Sequence, residues 1–244
     1  MNSFKEKYQI TKENFKKELD IYNINKKHEK YYSKEFEDIF KNELERNYKL
    51  LKENFPNTFF DLRGRIKNQF SLKEKIKKKL NTGHTGNIYD VFGMKIVVYS
   101  YFDYENNTTK NDENKLIEIC KDMQNFLIEN SPTATFDKIH SKNYIDNPKK
   151  NGYQALHCVR KYQHKNKFGL DDAYYSEVQI RTFREEENQK YGIANHFGYK
   201  PNYDTLNPNL MPAFFGINKF GKAYKLSKKE SIKKRNDEYN EFLK

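Results

Sequence analysis

Residues 147–182 read NPKKNGYQALHCVRKYQHKNKFGLDDAYYSEVQIRT. Two stretches inside them decide the fold. ALHCVRKY at 155–162 and AYYSEVQIRT at 173–182 read as strands. In the second, Glu177, Gln179 and Arg181 project from one face while Val178 and Ile180 project from the other. NPKKNGY at 147–153 is a turn by its Asn, Pro and Gly content. Two consecutive strands late in the chain predict an antiparallel or mixed sheet with helices packed on it.

Working outward, VFGMKIVVYS at 91–100 is another apolar strand. Earlier, Phe36, Phe40, Leu44, Tyr48 and Leu51 recur at spacings of four, four, four and three, which is one helix face, and Pro56 ends the helix. That face reads as a packing surface. SLKEKIKKKL at 71–80 predicts a second helix, with Ser71 as N-cap, Glu74 at the capping-box position, and Leu72, Ile76 and Leu80 on one side. Leu116, Ile119, Met123 and Phe126 keep helical period over 115–129. NTGHTGN at 81–87 and DYENNTTKNDEN at 103–114 are loops, 133–140 a strand, 184–197 a helix, and the tail from 226 a charged helix. No internal repeat is visible. The expectation is an α+β domain with a mixed, largely antiparallel sheet flanked by helices. Its parts are an N-terminal helical extension at 1–60, a catalytic-type core at 61–203 and a basic helical tail at 204–244.

The chain has 244 residues, 36% hydrophobic and 33% charged, and its 19 Tyr and 19 Phe supply a core. No run of about 18 apolar residues exists, so no transmembrane helix is expected. The N-terminus lacks the apolar region of a secretory signal. Two cysteines, Cys120 and Cys158, make neither a disulfide framework nor a Cys-based zinc site, so a reducing, cytoplasmic setting is expected. There are 46 basic against 34 acidic residues, a net charge of +12. A polyanionic partner fits that balance, and so does a Lys- and Asn-biased genome.

The commonest nucleotide and hydrolase signatures are absent: no Gly-rich phosphate loop, no dinucleotide fingerprint, no nucleophile elbow. Three features remain. The first is a basic cluster, Arg65, Lys67, Lys73, Lys75, Lys77, Lys78 and Lys79 against Glu74 alone. Arg65 and Lys67 lie two apart on an extended segment, and Ser71 and Lys75 lie four apart on a helix. Together with a helix N-terminus they could hold a triphosphate. The second is a carboxylate on each of two strands, Asp90 and Glu177. Brought together they suit Mg²⁺, which takes one or two protein carboxylates and fills its shell with phosphates and water. Glu177 could also accept a proton from a hydroxyl. The third is Tyr153, next to Gly152 and close to Lys149 and Lys150, placed to stack on a base. Taken singly, each also reads as a solvated charge or a core tyrosine.

In order along the chain, these pieces resemble the synthetase domain of the RelA/SpoT family, the alarmone synthetases. Four blocks carry the resemblance, which covers about residues 40–200: GRIKNQFSLKEK at 64–75, DVFGMKIVV at 90–98, NYIDNPKKNGYQALH at 143–157, and SEVQIRT with GIANHFGYK between 176 and 200. The resemblance implies the nucleotidyltransferase-like fold of that domain. It also implies transfer of the β,γ-pyrophosphate of ATP to the ribose 3′-hydroxyl of GDP or GTP, with Mg²⁺. It matches Arg65, Lys67, Ser71 and Lys75 to the ATP-binding motif and Asp90 to the Mg²⁺ aspartate. Glu177 matches the second catalytic carboxylate and Tyr153 the residue that stacks on the acceptor guanine. Lys149, Asn151, His157, Gln179 and Arg181 match the acceptor side, and Lys142, His196 and Lys200 match positions of less defined role.

The chain departs from the family pattern in several places. Lys95 stands where an arginine covers the adenine, and lysine lacks the flat guanidinium. Asn143, Ala155, Lys190 and Phe197 replace an aspartate, a serine, an acidic residue and a tryptophan. The chain has no room for the hydrolase and regulatory domains of long members, so a stand-alone small synthetase is implied. Two readings of its acceptor stay open. One is a guanine nucleotide, making (p)ppGpp. The other is the 3′-CCA end of tRNA, as in toxin-type relatives, for which an antitoxin partner would be expected. Ile217 to Arg235 carries eight basic residues and one acidic residue, which suits an RNA backbone. A catalytically silent nucleotide-binding regulator is a third reading, opposed by the presence of both carboxylates. Small members often assemble into homo-oligomers.

Overall fold

The computed structural model describes residues 32–82, 88–130, 140–165, 171–191 and 213–227, with a few isolated positions outside them. The first element, α1 (Lys34–Asn54), is capped by the Ser33 side chain, which accepts from the Phe36 amide. Its Phe36, Phe40, Leu44 and Leu51 are buried. They meet β1 (Thr58–Ile66), β2 (Phe92–Asp103) and the later strand β7 (Ala213–Ile217). The ring of Phe40 lies 5.1 Å from that of Phe92 and 5.4 Å, edge-on, from that of Phe215. Burial of each such side chain is worth about 1.5–3 kcal/mol. The helical face legible at 36–51 is therefore a wall of the main core.

The basic segment forms α2 (Gln69–Asn81), and β3 (Thr108–Lys110) pairs with the end of β2. Next come α3 (Glu113–Glu129), β4 (Lys142–Asn143), β5 (Leu156–Lys165), β6 (Asp171–Thr182) and α4 (Phe183–Tyr191). The strands β7 and β8 (Ala223–Lys225) follow. The sheet order is β4-β5-β6-β2-β1-β7-β8, with β3 beside β2. The β2–β6 pair is parallel and the other pairs are antiparallel. This is the mixed, largely antiparallel sheet expected, with α1 and α3 against its apolar face. Gln124 of α3 donates to the His157 carbonyl at 2.9 Å, which ties α3 to the strand that carries the site.

Several local expectations change. Residues 58–66 form a central strand that crosses the expected boundary at residue 60. Its buried Phe60, Leu62 and Ile66 alternate, but Gly64 interrupts the apolar period. A Cβ at Gly64 would come within 2.6 Å of Leu44 and 2.9 Å of Phe40, so glycine lets α1 press onto β1. The N-cap of α2 is Asn68, whose side chain accepts from the Ser71 amide at 2.7 Å; Ser71 lies inside the first turn. The polar stretch 103–114 contains β3.

The expected helical tail at 204–244 contains the β7–β8 hairpin instead, turned at Gly221 with φ +75°. Lys222 and Lys225 tie that hairpin to Glu45 and Glu37 of α1. All but His140 of the expected strand at 133–140, the end of the helix beyond 191, and most of the tail past 226 lie outside the described residues. Among the described residues no helix is long and apolar enough to cross a membrane.

Candidate active site

The site occupies the sheet face opposite α1 and α3. Register places Gly93 beside Glu177, Lys95 beside Gln179 and Val97 beside Arg181 across the parallel β2–β6 pair. On the other side of β2, Arg65 faces Gly93 and Arg63 faces Lys95. On β5, His157 faces Gln179. Four strands thus present one polar row, whose reverse is the core.

At one end is a cation–carboxylate cluster. Lys67, just past β1, and Lys75, one turn beyond Ser71 on α2, both donate to Asp90 Oδ2, at 2.7 and 2.6 Å. Asp90 Oδ1 is buried and has no hydrogen-bond partner among the described residues. Burial opposes ionisation of Asp90, but the two ammonium groups overcome it and hold the carboxyl well below its usual range. Burial brings Lys67 down to about 8 despite Asp90, and Lys75 and Arg65 push the same way. Arg65 crosses the strand at Gly93, where a Cβ would meet its Nε at 3.2 Å and its Cγ at 3.3 Å. Gly93 is a site residue that the sequence reading did not single out, although glycine inside a strand signals close approach.

At the other end is a closed hydrogen-bonded ring. Arg181 Nη2 donates to the Tyr153 hydroxyl at 3.1 Å, and that hydroxyl lies 2.7 Å from His157 Nε2. His157 Nδ1 lies 3.2 Å from Glu177 Oε1. Gln179 Nε2 donates to Glu177 Oε2 at 2.9 Å, and Arg181 Nη2 also donates to Gln179 Oε1 at 2.7 Å, closing the circuit. Burial opposes ionisation of Glu177 as well. His157 and Gln179 outweigh it and bring the carboxyl down to about 2, while the charge of Asp90 acts in the opposite direction. Burial pushes the Tyr153 hydroxyl up to about 12.

Tyr153 sits edge-on to Tyr144 and His157. The Lys149 ammonium lies 4.4 Å from the ring centres of both Tyr144 and Tyr153. The turn that brings it there closes through Gly152, at φ +74°, whose amide donates to the Lys149 carbonyl. Asn151 accepts from the Tyr153 amide within the same turn. Lys142 pairs with His157 at the sheet edge. Asn143 caps its own turn by accepting from the amides of Ile145 and Asp146. His196 and Lys200, and the side chain of Lys190, lie outside the described residues.

Lys95 does not reach out as a free cation. Its ammonium lies 2.9 and 3.1 Å from the two oxygens of Glu186, which is buried and also sits 3.5 Å from Arg181 Nη1. Glu186 joins the two halves of the site, and the sequence reading missed it. It is placed by a capping box at the β6–α4 junction. There the Thr182 amide donates to Glu185 and the Glu185 amide to Thr182 Oγ1. The T-x-x-E pattern at 182–185 was the available signal.

Asp90 and Glu177 are close enough to repel electrostatically. They fit a divalent cation that brings other ligands with it: one buried carboxylate oxygen has no hydrogen-bond partner among the described residues, and the neighbouring cations suit phosphate. Among the described residues no group of three or more His, Cys, Asp or Glu side chains could hold a metal unaided.

Comparison with known proteins gives relatives along this same stretch. The chain is 28% identical over 147 residues to a probable guanosine-3′,5′-bis(diphosphate) 3′-pyrophosphohydrolase of Mycoplasma pneumoniae, covering 60% of this chain and 16% of that one. It is 30% identical over 143 residues to a probable chloroplastic GTP diphosphokinase of Oryza sativa subsp. japonica, covering 59% and 16%. The chain thus spans about a sixth of the length of these curated relatives. A solved small alarmone synthetase 1 from Bacillus subtilis, bound to its product pppGpp, is similar at 19% identity and a TM-score of 0.44, covering 84% of this chain and 86% of that one. The sequence model of a region found in RelA / SpoT proteins matches residues 64–204. That match takes in the basic cluster, Asp90, Tyr153 and Glu177 within more than half of the chain, and the chain belongs to the RelA/SpoT family.

Proposed function

We propose that the chain is an ATP-dependent pyrophosphokinase that moves the β,γ-pyrophosphate of ATP to the ribose 3′-hydroxyl of GDP or GTP. The observation that carries this reading is the nearness of two carboxylates of different surroundings, Asp90 just before β2 and Glu177 on the polar face of β6. Asp90 is set among cations, and Glu177 is set in a hydrogen-bonded ring with an aromatic residue. Arg65, Lys67, Ser71 and Lys75 would take the triphosphate, and Tyr153 with Lys149 would take the acceptor purine and its phosphates.

In the transfer, the 3′-oxygen bonds to the β-phosphorus, the bond from that phosphorus to the α,β-bridging oxygen breaks, and AMP leaves. Asp90 and Glu177 would hold Mg²⁺, and the ion would supply positive charge to offset that of the phosphates. Lys67 and Lys75 neutralise charge on the moving group. A carboxylate at about 2, as Glu177 is, makes a weak base. That suffices where the transition state is loose, because the hydroxyl keeps its proton until late. Glu177 then orients the hydroxyl and receives the proton at the end, while His157 and Gln179 keep the carboxylate aimed.

The test offers γ-labelled ATP and Mg²⁺ with GMP, GDP, GTP and deacylated tRNA in parallel, with Asp90→Ala as control. Label on a guanine nucleotide, absent in the control, supports the proposal and ranks the acceptors. Label only on tRNA replaces it with the toxin-type reading, and label on neither refutes pyrophosphoryl transfer.

A further inference from the structure

We propose that Lys67 and Lys75 close the metal position at Asp90 until a triphosphate arrives, so that nucleotide binding must precede or accompany metal binding. The inference rests on the reading of Asp90 as a metal ligand.

Both ammonium groups are seated on the same carboxylate oxygen, at 2.7 and 2.6 Å. The other oxygen is buried, with no hydrogen-bond partner among the described residues. A divalent cation coming alone would meet that oxygen with two ammonium groups beside it. Arg65 acts on Lys67, and Lys79 acts on Lys75 and Asp90, so four cations gather around Asp90, with Glu177 near it. Four cations against two carboxylates leave two net positive charges; a bare divalent cation would raise this to four. The same cation carried by a triphosphate, with about four negative charges, leaves the cluster close to neutral. The phosphates give Lys67 and Lys75 new anionic partners, which uncovers Asp90 as the cation comes in. The described residues alone supply too few ligands for a tight site, and phosphate oxygens would complete the shell.

Mn²⁺ binding, followed by electron paramagnetic resonance, tests the order without turnover. The probe nucleotide is α,β-methylene-ATP, which cannot be cleaved at the transferred bond. Wild-type protein alone should show no saturable site up to roughly millimolar Mn²⁺, and one site should form with the analogue, tighter by at least about tenfold, within the ordinary range for coupled sites. Linkage requires Mn²⁺ to tighten analogue binding by the same factor. Lys75→Met is the first variant, because that side chain is more than a third exposed and its loss spares the core. It should bind Mn²⁺ without nucleotide at least about tenfold more tightly than wild type. Adding Asp90→Asn should remove the gain.

An Asp90-dependent Mn²⁺ site in wild type that ignores the analogue overturns the proposal. So does a Lys75→Met protein with unchanged Mn²⁺ affinity. If labelled analogue fails to bind in equilibrium dialysis while Lys75→Met still gains an Asp90-dependent site, the pyrophosphokinase reading and the nucleotide-dependent order both fall, and only the closure by lysine stands.

Discussion

Glu186→Gln separates a structural ion pair from a bystander. Glu186 is buried, it faces the Lys95 ammonium at 2.9 and 3.1 Å, and Arg181, which has no exposed side-chain area, lies 3.5 Å away. Glutamine keeps the shape and removes the charge. Lys95 is about a third exposed and can turn to water, so its loss of a partner costs little. Arg181 cannot. Removing one member of a buried pair costs about 3–5 kcal/mol, because the remaining charge stays in low dielectric. Tyr153 and Gln179 still accept from Arg181, so the lower end of that range applies, about 3 kcal/mol. For a chain of this size each kcal/mol shifts the melting midpoint by about 2–4 °C, which predicts a fall of about 6–12 °C. Lys95→Met alone should cost about 1 kcal/mol or less. The double variant should cost at least about 0.5 kcal/mol less than the sum of the singles. Thermal melts of the four proteins complete the cycle. A midpoint within 2 °C of wild type for Glu186→Gln, roughly half a kcal/mol, or an additive cycle, refutes the bridge.

Three other perturbations address separate parts of the molecule. Gly64→Ala drives a methyl into Leu44 and Phe40 and should destabilise by about 1–3 kcal/mol in a denaturant titration; unchanged stability would mean that α1 does not lie on β1. Tyr153→Ala should raise the acceptor KM at least about tenfold while the ATP KM changes little, since base stacking is worth about 1–3 kcal/mol; equal effects on both would remove the stacking role. Glu177 has its folded pKa depressed from 4.5 to about 2, so it contributes stability that is present above pH 4.5 and is lost as pH falls through about 2. Glu177→Gln should flatten the acid limb of the stability curve between those values, and a wild-type slope there would place the acid sensitivity elsewhere.

The sequence displayed the sheet where its strands are long and apolar on one side, as at 92–98 and 174–182, because period-two alternation survives when a single face is buried. It hid β1 because the residue at which α1 comes closest had to be Gly64, and a glycine erases the apolar mark at that position. It hid β7 because five residues are too short for any period to establish itself. The site was legible where chemistry demands a residue type at a fixed spacing, as with Arg65 and Lys67 or Glu177 and Gln179. Glu186 was invisible for the opposite reason. Its importance comes from Lys95 and Arg181, which lie 91 and five residues away in sequence and become neighbours only through the parallel pairing of β2 with β6.

The distribution of positive charge bears on the acceptor. A net charge of +12 invites a nucleic-acid reading, and the basic C-terminal stretch invites it further. In that stretch, however, Lys222 and Lys225 are engaged with Glu45 and Glu37, where they fasten the hairpin to α1. On the site face the cations converge on three points. Lys67 and Lys75 meet at Asp90, Lys95 and Arg181 meet at Glu186, and Lys149 lies over Tyr144 and Tyr153. Each sits on a carboxylate or an aromatic face that a phosphate or a base would compete for. The charge is concentrated where two nucleotides would meet rather than along the described part of the tail. Over the described residues, this favours a mononucleotide acceptor above an RNA backbone. Salt supplies the discriminating measurement. Binding through several phosphates of an RNA weakens steeply with ionic strength, by about 10³–10⁵ for six to ten contacts between 50 and 200 mM. A mononucleotide held by two or three cations should lose only about 10- to 40-fold over the same range. A steep dependence of acceptor KM would move the decision to tRNA.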